Sequence, residues 1–113
     1  MTIRNITRNT TIAGAAAAAD TPFARMRGLL GRKSLNAGEA LLITPCQSIH
    51  MLFMTFAIDV AFVDRQGTVV GLCPGIRPFQ FSPPFFKARS AIEVPAGAIA
   101  SSQTQIGDTV QIS

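Results

Sequence analysis

The sequence predicts a mostly-β fold, a small sandwich or barrel with one short helix near its start. Short apolar segments rich in Val, Ile, Phe and Thr recur about every 8–12 residues, which is the spacing of strands in such folds. Glycine and proline turn signals separate these segments. The chain has 113 residues, of which 48% are hydrophobic. That is enough for one core, so we expect residues 1–113 to form a single domain.

The first third of the chain predicts a strand followed by the helix. Residues 10–19 combine alanines, which favour helix, with a Thr-Thr-Ile start and Gly14, which favour a strand. We predict a strand of small residues there. Thr21 can cap a helix whose first position is Pro22. This pattern predicts a short helix over residues 22–29 that ends near a glycine.

The rest of the chain predicts strands joined by turns. Residues 64–67, Asp-Arg-Gln-Gly, indicate a hairpin turn between the apolar runs 60–63 and 68–72. Pro45 ends one predicted strand, and Pro-Ala-Gly at residues 95–97 turns the chain after another. The other predicted strands are 40–44, 47–54, 58–63, 90–94 and 109–112.

Composition argues against several classes of protein and partner. Charged residues make up 14% of the chain and the net charge is +4, so the chain is globular rather than disordered. The basic residues are spread out, apart from a group at residues 25–33, so we do not expect a nucleic-acid partner. No apolar run reaches the roughly 18 residues of a membrane span.

The cysteines and the N-terminus bear on the compartment. We expect Cys46 and Cys73 to be free thiols in a reducing cytoplasm, with one disulfide between neighbouring strands as the alternative. Arg4 and Arg8 precede an alanine-rich stretch that faintly resembles a signal peptide. Because the stretch lacks the Leu or Phe that drives insertion, we interpret it as structure. A cytoplasmic location is therefore predicted, and a periplasmic one is the alternative.

Four ordered blocks resemble the bacterial family known as domain of unknown function 192. Residues 25–32 read RMRGLLGR, against R-x-x-G-L-M-x-R in the family. Residues 46–64 read CQSIHMLFMTFAIDVAFVD, similar to a central S-I-H-T-x-x-M-R-F-P-I-D-V-x-F-L-D. Residues 91–97, AIEVPAG, are similar to V-L-E-L-P-A-G, and Gly107-Asp108 match a closing G-D. The resemblance runs from about residue 20 to the C-terminus.

This resemblance implies a jelly-roll-like β-sandwich, and it points to no particular activity, substrate or cofactor. The chain also departs from the family pattern. Ala57 replaces a proline, Thr55 stands where Arg or another polar residue is common, and Leu30 replaces Met. If the proline and arginine serve a ligand in other members, this chain binds differently or not at all.

His50, the single histidine, aligns with a family position that holds His or Trp. Those two residues share a flat ring with an N–H donor, which suggests stacking or one hydrogen bond; a packed histidine is the alternative. Cys46 lies four residues earlier, about 13 Å away in a strand and too far to share a metal ion or a proton. We therefore expect neither a metal site nor Cys–His catalysis.

Asp59 lies in an apolar run, so its carboxylate must face solvent or be paired. We expect a buried pair with Arg25 or Arg32 that ties the helix to the sheet. Alternatively, these arginines hold an anionic ligand through paired hydrogen bonds. Asp59 and Glu93 could form a catalytic carboxylate pair. The sequence contains no phosphate loop, dinucleotide fingerprint or nucleophile elbow.

The segment 77–89, RPFQFSPPFFKAR, interleaves phenylalanines with cations. Its prolines cannot donate to a sheet ladder, so we predict an edge or a loop. The rings could close one end of the core, contact a protein partner or a second copy of the chain, or stack on a ligand or on bases. The rings in question are Phe79, Phe81, Phe85 and Phe86.

Three hypotheses of function follow. The first is a non-catalytic module that binds a small ligand, which the arginines suggest is anionic, between the helix and the central strands. The second is a protein-interaction module that acts through residues 79–86. The third is an enzyme of unknown type. We expect no cofactor and no metal. The ligand site of the first hypothesis comprises Arg25, Arg32, Gln47, His50 and Asp59.

Overall fold

The computed structural model describes residues 1–19, 34–51 and 54–113. Within these ranges the chain forms eight strands and one short helix, α1, at Ala98–Ser101. The strands are β1 Ile3–Asn5, β2 Thr10–Ala13, β3 Ala15–Ala19, β4 Glu39–Ile43, β5 Ile58–Val63, β6 Val69–Ile76, β7 Ser90–Pro95 and β8 Val110–Ile112. The predicted mostly-β fold is confirmed. The helix predicted over residues 22–29 lies outside the described residues.

The strands form two sheets. A three-stranded antiparallel sheet has the order β2-β1-β8, and a five-stranded sheet has the order β3-β4-β7-β5-β6. In the larger sheet β3 runs parallel to β4, and the other neighbours are antiparallel. The strand predicted over residues 10–19 is thus two strands in different sheets. Gly14, which is exposed, separates them and lets the chain pass from one sheet to the other.

The hairpin predicted around residues 64–67 is confirmed as the turn between β5 and β6. Oδ1 of Asp64 accepts hydrogen bonds from the backbone N–H groups of Gln66 and Thr68, both at 2.9 Å. Gly67 has φ +84°, a left-handed conformation that glycine adopts without steric cost. The aspartate and the glycine therefore fix the turn locally, which is why sequence reasoning found it.

The larger sheet carries apolar residues on both faces. One face packs against the smaller sheet through a cluster that includes Ile3, Val63, Ile92 and Val110. The other face packs against loops through a second cluster that includes Met51, Met54 and Phe62. The central strands β5 and β7 are buried almost throughout. Burial on both sides explains why they read as continuous apolar runs rather than as alternating ones.

The strand predicted over residues 47–54 is wrong for the part that the structure describes. There the chain forms a loop on the second apolar face, with one isolated bridge between His50 and Phe81. Its backbone bonds go to the proline-rich segment, for example from Met51 N–H to the carbonyl of Gln80 at 2.8 Å. Because Pro83 and Pro84 have no N–H to donate, this pairing does not extend into a ladder.

Candidate functional site

Asp59 is buried and has a structural role. It is 2% exposed, and Oδ2 accepts hydrogen bonds from the N–H groups of Gly97 and Ile99, both at 3.0 Å. Oδ1 accepts the N–H of Gly75 at 2.7 Å. A bulge in β6 opposite Asp59 brings that glycine into reach. Asp59, on β5, therefore links β6, the turn after β7 and α1. Its partners are backbone N–H groups, not an arginine among the described residues.

Asp59 and Glu93 do not form a carboxylate pair. In the β5–β7 ladder Asp59 lies opposite Val94, whereas Glu93 lies opposite Val60. Neighbouring positions of a strand point to opposite faces, so the two carboxyl groups lie on opposite sides of the sheet. Glu93 is 7% exposed, and burial raises its pKa from 4.5 to about 7. The dyad alternative is therefore wrong.

The other predicted ligand residues are dispersed. The side-chain amide of Gln47 donates a hydrogen bond to the carbonyl of Phe86 at 2.9 Å. His50 is exposed, and its ring centroid lies 6.5 Å from that of Phe81 at a tilt of 51°. Arg25 and Arg32 lie outside the described residues. Of the predicted residues that the structure describes, Gln47 alone borders the cleft described below.

Residues 85–89 are held rigidly between β5 and the loop that contains Gln47. The N–H of Phe85 donates to the carbonyl of Gln47 at 2.8 Å, and the N–H of Arg89 donates to the carbonyl of Val63 at 2.8 Å. The carbonyl of Arg89 in turn accepts the N–H of Cys46 at 3.0 Å. Together with the Gln47 amide, these bonds fix the backbone from which three exposed side chains project: Phe86, Lys87 and Arg89.

A cationic cleft of about 530 Å³ lies between this segment and the β5–β6 turn. Three cations line it, Arg65 from the turn and Lys87 and Arg89 from the rigid segment. In the described part of the chain none of the three makes an ion pair. One carboxylate, Asp64, also borders the cleft, and its Oδ1 accepts the two N–H groups of the turn. Three cations against one carboxylate make the described lining net positive. Its remaining lining residues are Pro45, Gln47, Gln66, Phe86 and Ala88.

An apolar groove of about 310 Å³ adjoins the cationic cleft. Val70, Phe85, Phe86 and Lys87 line it, so the last two residues belong to both spaces. Phe85 forms a fixed wall: its ring packs on that of Phe62 with centroids 4.6 Å apart and lies directly over Gly71, where a Cβ would overlap it. Val70 is the extra residue of a second bulge in β6, which turns this edge of the sheet away from regular pairing.

The predicted phenylalanine segment is mostly exposed rather than closing the core. Phe79 and Phe81 are each 65% exposed and Phe86 is 77% exposed, whereas Phe85 is half-buried. Phe79 also has φ +67°, which is strained for a residue with a side chain. The core-closing alternative holds only for Phe85.

Sequence reasoning missed the cleft because its two sides come together only in the fold. In the sequence, Arg65 lies in the predicted turn 64–67, whereas Lys87 and Arg89 lie in the segment 77–89. No sequence motif links the two segments. The bond between Arg89 and Val63, at the end of β5, makes them neighbours. Interleaved cations and phenylalanines were the only local indication.

Metal ligation, thiol chemistry and a membrane-spanning helix are further possibilities among the described residues. No three His, Cys, Asp or Glu side chains there converge as metal ligands would. Cys46 and Cys73 form no disulfide with each other. Sγ of Cys46 donates a hydrogen bond to the carbonyl of Ser48 at 3.2 Å, and burial raises the pKa of the Cys73 thiol. In the described ranges no helix is long and apolar enough to cross a membrane.

Comparisons with known proteins agree with this fold. A solved structure of a protein of unknown function from Novosphingobium aromaticivorans superposes with a TM-score of 0.84 at 19% identity, over 98% of this chain and 82% of that one. A structure from Sinorhizobium meliloti gives a TM-score of 0.77 at 17% identity, over 97% and 89%. At these identities the likeness concerns the fold alone.

Relatives by sequence are uncharacterised proteins of archaea. A UPF0127 protein of Thermococcus sibiricus is 37% identical over 111 residues, 94% of this chain and 71% of its own length. A UPF0127 protein of Pyrococcus furiosus is 30% identical over 112 residues, 95% and 94% of the two chains. The expectation of a bacterial family was therefore too narrow. The model of the DUF192 family, described as "Uncharacterized ACR", matches residues 3–112. With matches of this extent, the chain belongs to the DUF192 family.

Proposed function

We propose that this protein is a non-catalytic module that binds a small anionic ligand in the cationic cleft. The observation that carries the proposal is the convergence of Arg65, Lys87 and Arg89 on one concave space without an ion pair in the described part of the chain. Cations in a concave site attract and orient an anion. The site differs from the one expected between the first helix and the central strands, and Gln47 is common to both.

The shape and the rigidity of the cleft support binding. Its volume of about 530 Å³ lies in the usual range for small-molecule sites. Two arginines can each present paired donors to a carboxylate or a phosphate, and the lysine adds a compact charge. Because backbone bonds to Val63 and Gln47 already order the main chain of the segment, little backbone entropy is lost when a ligand binds.

Isothermal titration calorimetry with sodium phosphate and sodium sulfate tests the proposal. Calorimetry suits this chain because it has no Trp or Tyr to report binding by fluorescence. The titration is run at low ionic strength, where exposed charges are least screened. We expect saturable binding that weakens about tenfold in Arg89→Gln, since a charge-assisted contact is lost.

Arg77→Gln is the matched control. Arg77 is exposed, precedes the same proline-rich segment and lies outside the cleft lining, so its loss should leave affinity unchanged apart from a small effect of net charge. Equal weakening by Arg77→Gln and Arg89→Gln would mean that the anion responds only to overall charge. That result, or no saturable binding of either anion, contradicts the proposal.

A second candidate function is a protein-interaction module that acts through Phe79 and Phe81. These two phenylalanines, two positions apart in the sequence, are each 65% exposed, and Phe79 has a strained backbone conformation. Such exposure of large apolar rings is typical of a surface that binds a partner. This candidate predicts self-association or a complex that Phe79→Ser and Phe81→Ser weaken. Sedimentation at increasing concentration tests the self-association form: a monomer at every concentration refutes it.

Further residues and the compartment are part of the proposal. Arg25 and Arg32 are candidates for ligand contacts, and His50 is a candidate for stacking beside Phe81, whose ring centroid lies 6.5 Å away. We also propose a cytoplasmic location.

A further inference from the structure

We infer that the ligand is an amphiphilic organic anion, with one anionic head group in the cationic cleft and an apolar tail in the adjoining groove. This inference rests on the proposed function and adds the chemical class of the ligand. Its basis is that the two spaces share a wall, made by Phe86 and Lys87. A ligand that fills both therefore passes directly over these two side chains.

The groove is suited to a tail because, among the residues that the structure describes, the shared Lys87 is the one charged residue that borders it. Val70, Phe85 and Phe86 present apolar surface, and a long lysine side chain can lay its methylenes against that surface while its ammonium faces the cleft. Burying such surface against an apolar tail removes it from water. An inorganic anion would leave this surface exposed.

Phe85 and Phe86, on the two sides of the groove, differ in how many contacts hold their rings, and this difference suits tails of different shape. Phe85 is fixed between Phe62 and Gly71, so it provides a rigid floor. Phe86 is 77% exposed, although its backbone carbonyl is held by the Gln47 amide. Its ring can therefore rotate onto a tail while its main chain stays in place. Rotamer changes over a nearly fixed backbone are common where a pre-organised protein surface binds its partner.

Charge argues against a second copy of this chain as the occupant of the groove. The chain carries a net charge of +4, and the groove opens beside three unpaired cations, Arg65, Lys87 and Arg89. Bringing two such surfaces together would place like charges next to each other, which is unfavourable. An anionic head group instead neutralises the cleft while its tail covers the groove.

The test compares phosphate monoesters that differ only in their tails. Inorganic phosphate, methyl phosphate, hexyl phosphate and phenyl phosphate are titrated into the purified protein by calorimetry. We expect hexyl and phenyl phosphate to bind at least about tenfold more tightly than methyl phosphate, because each buries an apolar tail. Hexyl sulfate and hexanoate then show whether the head group must be a phosphate or only an anion.

Phe86→Ala and Phe79→Ala form the matched pair of variants. Both rings are largely exposed, so neither truncation removes core packing, and thermal unfolding by circular dichroism checks that each variant folds. Because Phe86 lines both spaces, the quantity compared is the ratio of hexyl phosphate affinity to methyl phosphate affinity within each variant. We expect Phe86→Ala to lower this ratio about threefold or more, and Phe79→Ala, outside both linings, to preserve it. Amide chemical shifts on adding phenyl phosphate provide a second readout and should move at Val70 and Phe86.

The outcomes separate this inference from the proposed function. If inorganic phosphate binds through Arg89 but the esters with longer tails bind no more tightly than methyl phosphate, the proposal of an anion-binding cleft is supported. The inference of an amphiphilic ligand is then refuted. If tailed esters bind more tightly yet Phe86→Ala and Phe79→Ala behave alike, the groove is not the tail site and the inference is likewise refuted. If no anion binds, the proposed function fails, and the inference fails with it.

Discussion

Replacing Glu93 by Gln should stabilise the protein at neutral and alkaline pH. Glu93 lies between Leu41 on β4 and Val60 on β5, and burial raises its pKa from 4.5 to about 7. Between these values the folded state holds a proton that the unfolded state has released. Stability therefore falls as the pH rises through this window and then levels off. Below about pH 4.5, Glu93 is neutral in both states, so its ionisation does not lower the free energy of unfolding.

The size of the effect follows from the pKa difference. At 1.36 kcal/mol for each pKa unit, ionisation of Glu93 costs roughly 3 kcal/mol above about pH 7. For a chain of this length that corresponds to a melting temperature higher by roughly 10 °C in Glu93→Gln at alkaline pH. At about pH 4 the two proteins should differ little by this route, because Glu93 is then protonated in both states.

Thermal unfolding by circular dichroism across this pH range measures the effect. Glu93→Met serves beside Glu93→Gln, since both remove the ionisable group and only one keeps a polar amide. If ionisation is the cause, both variants lose the decline that the wild-type protein shows between about pH 4.5 and 7. A wild-type curve that is flat over this range, or variants that decline in parallel with it, would refute the reasoning.

Three further predictions concern the fold. Asp59→Asn should lower the free energy of unfolding in urea by about 2–4 kcal/mol, because the carboxylate charge is lost and one backbone N–H then faces an amide donor. A loss below about 0.5 kcal/mol would contradict the role assigned to Asp59. Hydrogen bonds from an arginine and an asparagine lower the pKa of Asp108 from 3.8 to about 2. Asp108 should therefore contribute stability above pH 3.8 that disappears as the pH falls towards 2. Asp108→Asn should therefore lower the melting temperature at neutral pH but much less near pH 2, and an equal loss at both would refute the ionic role. Gly71→Ala should cost about 1–3 kcal/mol because its Cβ would displace Phe85. Gly14→Ala, where nothing lies within 4 Å, is its control, and equal effects would exclude that mechanism.

Local signals in the sequence predicted the parts of the fold that local interactions determine. The β5–β6 hairpin depends on Asp64 and Gly67, which act within four residues of each other. The break at residues 95–97 is likewise real, with Gly97 at φ +97°. The strand predicted over residues 47–54 has the opposite origin in its described part. Met51 and Met54 do contact the core, but the backbone partners of residues 47–51 lie some thirty residues later, in the proline-rich segment.

The candidate site could be predicted only in its chemical character. The interleaved cations and phenylalanines of the segment 77–89 left core closure, a protein contact and ligand stacking open, and Arg25 and Arg32 suggested an anion. Residue type could not show that Asp59 satisfies three backbone N–H groups, because those donors come from β6, the turn after β7 and α1. Nor could spacing show that Arg65 and Arg89 share a cleft, since their proximity depends on the end of β5.

The most direct test of the central claim is a titration of the isotope-labelled protein with inorganic phosphate, followed by amide chemical shifts. If the cationic cleft binds the anion, the largest shifts should occur at Arg65, Gln66, Lys87 and Arg89, with one saturable affinity for all four. Shifts confined to other surfaces, or shifts that grow linearly without saturation at every amide, would contradict the claim that this cleft is a binding site.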